Sequence, residues 1–80
     1  MQLDIITPDK TVYSGEVVSV QLPGVEGSFQ VLKNHAPLIA TLGTGKVKVV
    51  DAAKETTYFE LDGGVVEVLN NKVTVLAEKA

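Results

Sequence analysis

The feature that most constrains the fold is a two-residue alternation of β-branched and polar side chains. Val18, Val20 and Leu22 alternate with polar residues, so that these three side chains are expected to share one face of a strand. The same pattern recurs in three further segments: 46–50, 66–69 and 72–76. Because alternation in β-branched residues is typical of half-buried strands, the sequence predicts an all-β fold.

Turn-forming residues separate these runs about every 8 to 12 residues, which is the spacing of an antiparallel sandwich or barrel. Turns are predicted at 8–10, 14–15, 23–24, 27, 43–45, 62–64 and 70–71. Asn70-Asn71 predicts a tight hairpin turn, because asparagine tolerates a left-handed backbone. Residues 51–54 predict a looser loop between the runs 47–50 and 56–61, and Pro37 is expected to border a strand.

The chain has 80 residues, which indicates one domain near the lower size limit for independent folding. It contains no cysteine and one histidine, so neither a disulfide nor the usual zinc site is available as a staple. We therefore expect a marginally stable domain that binding to a partner would stabilise.

The formal net charge is −3, with ten carboxylates, seven lysines and no arginine. This balance disfavours nucleic acid as a partner, because affinity for nucleic acid depends on cationic contacts to phosphate. No apolar run approaches the roughly 18 residues of a membrane span, and the start MQLD lacks the features of a secretory signal. We expect an intracellular, acidic domain that binds no nucleic acid and is not inserted in a membrane.

The residues needed for catalysis are missing from the sequence. Nucleophilic catalysis requires a nucleophile, a base and an orienting group, and the hydroxyls nearest to His35, on Ser28 and Thr41, stand in no recognisable motif. His35 is expected to be a loop or surface histidine that hydrogen-bonds the backbone or a partner. The carboxylates are spread singly, without a calcium-loop pattern. No catalytic, metal-binding or cofactor-binding residue is predicted.

Three alternative interpretations fit the sequence less well. The segment 24–27 lacks the Gly-Lys-Ser/Thr and the helix of a phosphate-binding loop, so its two glycines are interpreted as positive-φ residues of a turn. In a lipoyl- or biotinyl-type carrier domain the modified lysine would be Lys54, although the sequence context of carrier lysines is absent. A carbohydrate-binding module is disfavoured because the chain has no tryptophan and only two tyrosines to stack on a sugar.

Segment 23–38, PGVEGSFQVLKNHAPL, resembles the signature of the epsilon subunits of F-type ATP synthases, with Gln30 where that family has glycine. Further similar segments are 3–8 (LDIITP), 13–17 (YSGEV), 63–68 (GGVVEV) and 73–77 (VTVLA). The resemblance covers essentially all 80 residues, with the matching segments in the family's order. The chain is thereby identified as similar to the N-terminal domain of this family.

The resemblance implies a flattened antiparallel β-sandwich of two sheets, formed by residues 1–80 as one domain. It implies a non-catalytic central-stalk subunit that binds the gamma subunit and the c-subunit ring and couples ion-driven rotation to ATP synthesis. Such a subunit is peripheral on the cytoplasmic face of the cell inner membrane. By motif, the residues expected to face gamma are Thr7, His35, Pro37 and Ala40. Those expected to face the c-ring are Glu26, Gly27 and Ser28.

Typical bacterial members of the family continue into two C-terminal helices that can restrain ATP hydrolysis. Here the strand pattern ends at Leu76-Ala77, and residues 78–80 leave room for at most the start of a helix. We therefore expect no C-terminal helical inhibitory domain and no helix-mediated inhibition or ATP sensing.

Overall fold

The computed structural model describes residues 1–78, and all regular structure in that range is β-strand. The strands are β1 (Gln2–Ile6), β2 (Thr11–Gly24), β3 (Gly27–Leu32), β4 (Leu38–Asp51), β5 (Thr56–Leu69) and β6 (Lys72–Ala77). Residues 79 and 80, where the sequence analysis considered the start of a helix, lie outside the described residues. The prediction of an all-β fold is confirmed.

Three strands are 14 residues long and run through both layers of the molecule. The first half of β5 pairs with the second half of β4, whereas the second half of β5 pairs with the first half of β4 and with β6. We call layer A the sheet of β1, β6, the second half of β5, the first half of β4 and the start of β2. Layer B contains β3, the rest of β2, the second half of β4 and the first half of β5. The sandwich prediction is confirmed.

The hydrogen bonding between strands is continuous, in the order β1-β6-β5-β4-β2-β3 with an additional pairing of β1 with β2. The pairing of β1 with β6 is parallel and aligns Gln2 with Lys72 and Ile6 with Leu76. This parallel pair differs from the antiparallel pairing that the sequence predicts, because local patterns do not show which distant strands meet. This parallel pair closes β1, β2, β4, β5 and β6 into a ring.

The turns predicted at 14–15, 43–45 and 62–64 are wrong, because these segments lie inside β2, β4 and β5. The antiparallel register of β4 and β5 continues past the glycines, with Leu42 opposite Gly64 and Thr44 opposite Asp62. Gly63 and Gly64 have φ angles of 103° and 151°, so the paired strands bend there from one layer into the other. The runs 56–61 and 66–69 are therefore one strand.

The predicted connections at 8–10, 51–54 and 70–71 are confirmed, whereas Pro23-Gly24 and Gly27 lie at the ends of β2 and β3 and flank a turn at residues 25 and 26. Asn70 and Asn71 have φ angles of 50° and 61° and form the tight β5–β6 turn. In the β4–β5 loop, the Asp51 carboxylate accepts hydrogen bonds of 2.9 Å from the backbone N–H groups of Ala53 and Glu55. Pro37 directly precedes β4, which begins at residue 38.

The core between the layers is entirely apolar within residues 1–78. Its largest fully buried side chains are Leu3, Ile5, Val20, Leu22, Val31, Val47, Val49, Val66, Val68, Val73 and Val75. Val18 was expected on the inner face with Val20 and Leu22, and that expectation is wrong. The register between β2 and β4 shifts between Val17 and Ser19, and this irregularity buries Val17 and turns Val18 outward.

Candidate functional site

The two open sides of the sandwich differ. On one side, between the start of β2 and the first half of β5, the rings of Tyr13 and Phe59 bridge the gap with centroids 5.4 Å apart. On the other side β3 and the first half of β4 leave a cleft of about 580 Å³. This β3–β4 cleft combines that volume with a mainly apolar lining, and it is the candidate site.

The cleft has apolar walls and a polar margin. The apolar lining residues are Val25, Phe29, Leu38, Ile39 and Ala40. The remaining lining residues are Gly24, Glu26, Gly27, Gln30, His35 and Thr41. Val25 and Ile39, at 62% and 73% exposed, are the most exposed large apolar side chains of the described residues. Glu26 contributes the carboxylate of the lining, so the cleft favours a partner that is apolar and carries a cation.

The β2–β3 turn forms one wall of the cleft. The backbone N–H of Val25 donates a 3.1 Å hydrogen bond to the carbonyl oxygen of Thr41, which fixes the turn against β4. Gly27 has a φ of 132°, as predicted for a turn glycine. The same prediction for Gly24 is wrong, since Gly24 ends β2 without a positive φ. Gly24 is required instead for close packing, because a Cβ there would lie 2.6 Å from the Gly27 carbonyl oxygen and 3.0 Å from the Phe29 ring.

His35 lies in the β3–β4 connection, half-buried at the margin of the cleft. Its backbone N–H donates to the carbonyl oxygen of Leu32 at 3.1 Å, and its Nδ1 lies 2.7 Å from the carbonyl oxygen of Ala36. Because a carbonyl oxygen can only accept, Nδ1 carries the proton in this bond. The Nε2 of the neutral ring is then left as an acceptor. The prediction that His35 hydrogen-bonds the backbone is confirmed.

The structure brings together members of both predicted partner-binding sets. His35 and Ala40 from the gamma-facing set and Glu26 and Gly27 from the c-ring-facing set line the same cleft. Ser28 follows on β3 as an exposed residue, and its Oγ accepts a 3.1 Å hydrogen bond from the Gln21 amide. The two predicted sets therefore occupy adjoining surfaces.

Pro37 and Thr7 lie outside the cleft. Pro37 precedes β4 and borders a shallow depression with Leu69. Thr7 lies in the β1–β2 turn, where its Oγ1 accepts a 3.2 Å hydrogen bond from the Lys10 N–H. Three strand spacings separate β1 from β4, so Thr7 is about 14 Å across layer A from the cleft. The partner roles of all seven residues stay predictions.

An exposed apolar row, which was not predicted from the sequence, lies on the outer face of layer A. The pairing registers align Ile6 with Leu76 and Leu76 with Val65, and Val65 lies opposite Thr41 beside the cleft. A signal was available in the apolar doublets Ile5-Ile6, Leu38-Ile39, Val65-Val66 and Val75-Leu76. Because neighbouring residues of a strand face opposite sides, one member of each doublet lies on the outer face.

A second polar cluster surrounds Asp4 on layer A. The Asp4 carboxylate accepts hydrogen bonds from the Ser14 hydroxyl at 2.6 Å and from the Gln2 amide at 3.1 Å, and Lys72 Nζ lies 3.6 Å away. The Ser14 hydrogen bond first, then Gln2 and Lys72, hold the pKa of Asp4 below its ordinary value. The cluster is a surface network that stabilises the β1–β2 and β1–β6 pairs.

No three His, Asp or Glu side chains within residues 1–78 converge so that they could hold a metal ion. Lys54, the candidate carrier lysine, is exposed in the β4–β5 loop with a φ of 65°.

Within residues 1–78, no helix is long and apolar enough to cross a membrane.

Comparison with known proteins gives a family match along the whole chain. Residues 1–80 match the family model described as ATP synthase, Delta/Epsilon chain, beta-sandwich domain. The chain is 48% identical over 77 residues to the ATP synthase epsilon chain of Chlorobium limicola, covering 96% of this chain and 88% of that protein. It is 45% identical over 80 residues to the epsilon chain of Caulobacter vibrioides, covering 100% and 92%. It is also 46% identical over 78 residues to the ATP synthase epsilon chain of Maridesulfovibrio salexigens. That match covers 98% of this chain and 54% of the relative.

Two solved structures share the fold. A chain of the cryo-EM structure of the Euglena gracilis mitochondrial ATP synthase, OSCP/F1/c-ring in rotational state 1, has a TM-score of 0.90 at 19% identity. That similarity covers 96% of this chain and 49% of the other. A chain of the Tetrahymena thermophila mitochondrial ATP synthase central stalk/c-ring structure has a TM-score of 0.80 at 18% identity, covering 96% and 62%.

Proposed function

Since the chain belongs to the ATP synthase delta/epsilon chain β-sandwich family, we propose that it is a rotor subunit that binds the gamma subunit and the c-ring. In this role it couples ion-driven rotation to ATP synthesis. The chain is a non-catalytic ATP synthase subunit, in agreement with the sequence prediction, and we place it in the central stalk. The observation that carries the proposal is the family match over residues 1–80.

The β3–β4 cleft and its surroundings suit a binding role. A subunit that transmits torque needs contact area and shape complementarity, whereas reactive groups are unnecessary. Val25 and Ile39 offer exposed apolar anchors beside the cleft, and such anchors in the centre of an interface supply much of its binding energy. The row Ile6, Leu76 and Val65 extends this apolar surface across layer A toward Thr7.

We assign the gamma-facing surface to Thr7, His35, Pro37 and Ala40. The Nε2 of neutral His35 can accept a hydrogen bond from a donor on gamma, because Nδ1 is already bonded to the Ala36 carbonyl oxygen. Pro37 stiffens the chain beside this imidazole. Both features favour a preorganised contact.

We assign the c-ring-facing surface to Glu26, Gly27 and Ser28. These residues form an exposed turn of small and acidic side chains, which can seat among polar loops of a ring. Relatives of the chain are named ATP synthase epsilon chain, so we place it in the membrane-associated ATP synthase complex. Binding to the loops of the ring would hold it peripherally on the cytoplasmic face of the cell inner membrane.

The first test is titration calorimetry of the 80-residue chain against purified gamma subunit from the same source. We expect a saturable one-to-one complex, and we expect the double variant His35→Ala/Pro37→Ala to lose most of the binding. The matched control is Tyr58→Ala, which removes an exposed side chain from layer B, far from the assigned surface. Unchanged binding by the double variant would count against the assigned face.

The c-ring contact needs its own test. A preformed complex of gamma with the c-ring is presented with the wild-type chain and with the variant Glu26→Ala/Ser28→Ala. We expect the variant to bind gamma alone normally and to bind the complex more weakly. Failure of the wild-type chain to bind gamma and the gamma–c-ring complex alike would refute the rotor assignment.

A further inference from the structure

β3 is the strand that lies outside the closed ring of strands, and one of its edges is free within residues 1–78. It pairs with β2 alone and stands last in the hydrogen-bonding order. The bond between the Val25 N–H and the Thr41 carbonyl oxygen holds the preceding turn against β4, and it occupies no backbone group of β3. Unpaired edges are sites where another strand can add, unless the protein blocks them.

Pro23, which lies opposite Ser28, shows which residues of β3 face the free edge. Proline has no N–H, and the Pro23 carbonyl oxygen lies toward β4, 3.9 Å from the position that a Cβ on Gly43 would take. Pro23 and Ser28 therefore exchange no hydrogen bonds, so the N–H and C=O of Ser28 point to the free edge. Alternate residues of a strand share an edge, so those of Gln30 and Leu32 point there as well.

These backbone groups are largely unused in the described part of the chain. The Leu32 carbonyl oxygen accepts the His35 N–H at 3.1 Å, whereas no turn or loop hydrogen bond within residues 1–78 engages the backbone of Ser28 or Gln30. Segment 27–32 contains no charge and no proline, and its register with β2 is regular. Apart from its length of six residues, the edge lacks the usual protection against pairing.

Gln30 occupies the centre of this edge, at the position where the family signature has glycine. Glycine weakens a strand, because it has high backbone entropy and no side chain to pack. Glutamine removes that weakness and adds a side-chain amide, which can both donate and accept hydrogen bonds. This chain therefore has a stronger strand at its free edge than the signature predicts.

The charges that flank β3 are opposite. Glu26 directly precedes the strand and Lys33 directly follows it, and both are exposed. If two copies pair antiparallel through these edges, Glu26 of each copy lies at the same end as Lys33 of the other, and twofold symmetry repeats the contact. The uncharged segments meet between these two ends. The edge is thus electrostatically complementary to a second copy of itself.

We propose that two copies of the free chain, outside the ATP synthase complex, pair antiparallel through their β3 edges about a twofold axis at Gln30. In this register Ser28 lies opposite Leu32 of the second copy, and the backbone groups on the two edges bond to each other. The two Gln30 amides meet on the outer face of layer B, where they can exchange hydrogen bonds. Leu32, which is 52% exposed, is partly covered.

The other free edge of layer B, the first half of β5, is not suited to such pairing. Segment 56–62 has no partner on the side away from β4 within the described residues. Its charged residues and the residue before it are Glu55, Glu60 and Asp62, without a lysine. Two copies that met there would bring carboxylates together without cations, which is destabilising.

Pairing through β3 covers the surface assigned to the c-ring. Gly27 and Ser28 belong to the paired strand, and Glu26 directly precedes it. The dimer and the ring-bound chain therefore exclude each other, and this part of the inference rests on the proposed function. Because two six-residue strands form a small interface, we expect a Kd for the dimer between about 10 μM and 1 mM.

Sedimentation velocity across this concentration range measures the dimer, and charge reversal tests its geometry. Glu26→Lys and Lys33→Glu should each raise the Kd of the dimer at least about tenfold, because like charges then meet. The double variant Glu26→Lys/Lys33→Glu should restore the wild-type Kd. Glu60→Lys, on the free edge of β5, changes the net charge as Glu26→Lys does and should leave the Kd unchanged. Circular dichroism establishes that each variant folds.

Amide hydrogen exchange in dilute and concentrated samples locates the interface. We expect the Ser28 and Gln30 amides to exchange at least about tenfold more slowly in the dimer, because their N–H groups become hydrogen-bonded. Amides of segment 56–61 are the internal control and should keep their rates. Gln30→Gly, which introduces the family's residue, should raise the Kd of the dimer.

Each outcome decides one level of the inference. A chain that stays monomeric throughout the range, or a dimer that leaves the Ser28 and Gln30 amides unprotected, would overturn the pairing. So would a double charge reversal that fails to restore the Kd. A dimer that binds the gamma–c-ring complex without dissociating would overturn the mutual exclusion alone. Absence of binding to gamma and to that complex would refute the proposed function and leave the measured dimer standing.

Discussion

The backbone N–H of Asn34 donates a 2.9 Å hydrogen bond to the side-chain oxygen of Asn71, which joins the β3–β4 connection to the β5–β6 turn. Asn34 itself has a φ of 63°, so the connection reverses direction at this point. His35 is the next residue. The orientation of the imidazole at the cleft therefore depends on a contact with a turn that lies far away in the sequence.

Replacing Asn71 by glycine should loosen this connection without straining the turn. Glycine accepts the φ of 61° that Asn71 adopts, but it has no side-chain acceptor. We expect faster amide exchange at Asn34 and a loss of gamma affinity of about fivefold, equivalent to about 1 kcal/mol for one hydrogen bond. Calorimetry measures the affinity. Asn70→Gly, in the same turn, is the control, and equal effects of the two variants would contradict the prediction.

The hydrogen bonds to Asp4 should make stability depend on acid pH. The Ser14 hydroxyl chiefly lowers the pKa of Asp4 in the folded chain, so the unfolded chain, with a pKa of about 3.9, takes up its proton first as pH falls. The stabilisation is present above that value and is lost as pH falls through the lower folded pKa. Urea unfolding at several pH values should show a flatter acid limb for Asp4→Asn.

Two further variants complete the pH experiment. Ser14→Ala removes the strongest hydrogen bond to Asp4 and should flatten the acid limb in the same direction. Asp9→Asn removes a carboxylate from the exposed β1–β2 turn and serves as the control. An acid limb as steep in Asp4→Asn as in wild type would show that Asp4 contributes nothing to it.

The strands were predictable where their alternation was strict, and the bends were not. Val73 and Val75 alternate with polar or outward residues, and the structure buries both. Asp62-Gly63-Gly64 has the composition of a turn, yet here the glycines serve a bend within a paired strand. A turn between strands and a bend within a strand have the same glycine-rich composition, because both require residues with positive φ. What decides between them is whether a neighbouring strand bends alongside, and that information lies elsewhere in the chain.

The sequence predicted some of the residues that line the candidate site, but it did not predict how they are arranged. The motif in segment 23–38 singled out Glu26 and His35, and both line the cleft. The exposed Ile39 could not be assigned, because an apolar doublet does not say which of its two residues faces outward. The register of β4 with β5 settles that choice, and register is a long-range property.

Alanine at position 64 should be strongly destabilising. Gly64 has a φ of 151°, and a Cβ there would collide with the carbonyl oxygen of Leu76 on β6. We expect Gly64→Ala to lose at least about 2 kcal/mol of unfolding free energy, since both strain and a backbone displacement are involved. Gly43→Ala is the control, because the nearest atom to its Cβ is 3.7 Å away. Equal urea midpoints for the two variants would contradict the prediction.

The Tyr13–Phe59 contact should couple the two layers energetically. Their rings are tilted by 60°, a favourable geometry for an aromatic pair. A double-mutant cycle with Tyr13→Leu and Phe59→Leu should give a coupling energy of about 0.5 to 1.5 kcal/mol. Urea unfolding of the four proteins measures it. Strictly additive effects would mean that the rings merely fill space on that side.

The parallel pairing of β1 with β6 sets the order of events during biosynthesis. The ring of strands can close only after Lys72, the pairing partner of Gln2, has emerged from the ribosome. Until then the nascent chain holds β1 and β5 with unpaired edges, the state in which an all-β chain is most prone to pair with other molecules. Folding dominated by such distant contacts is slow compared with helical domains of this size. The domain thus completes its fold in one late step, after translation of its last strand.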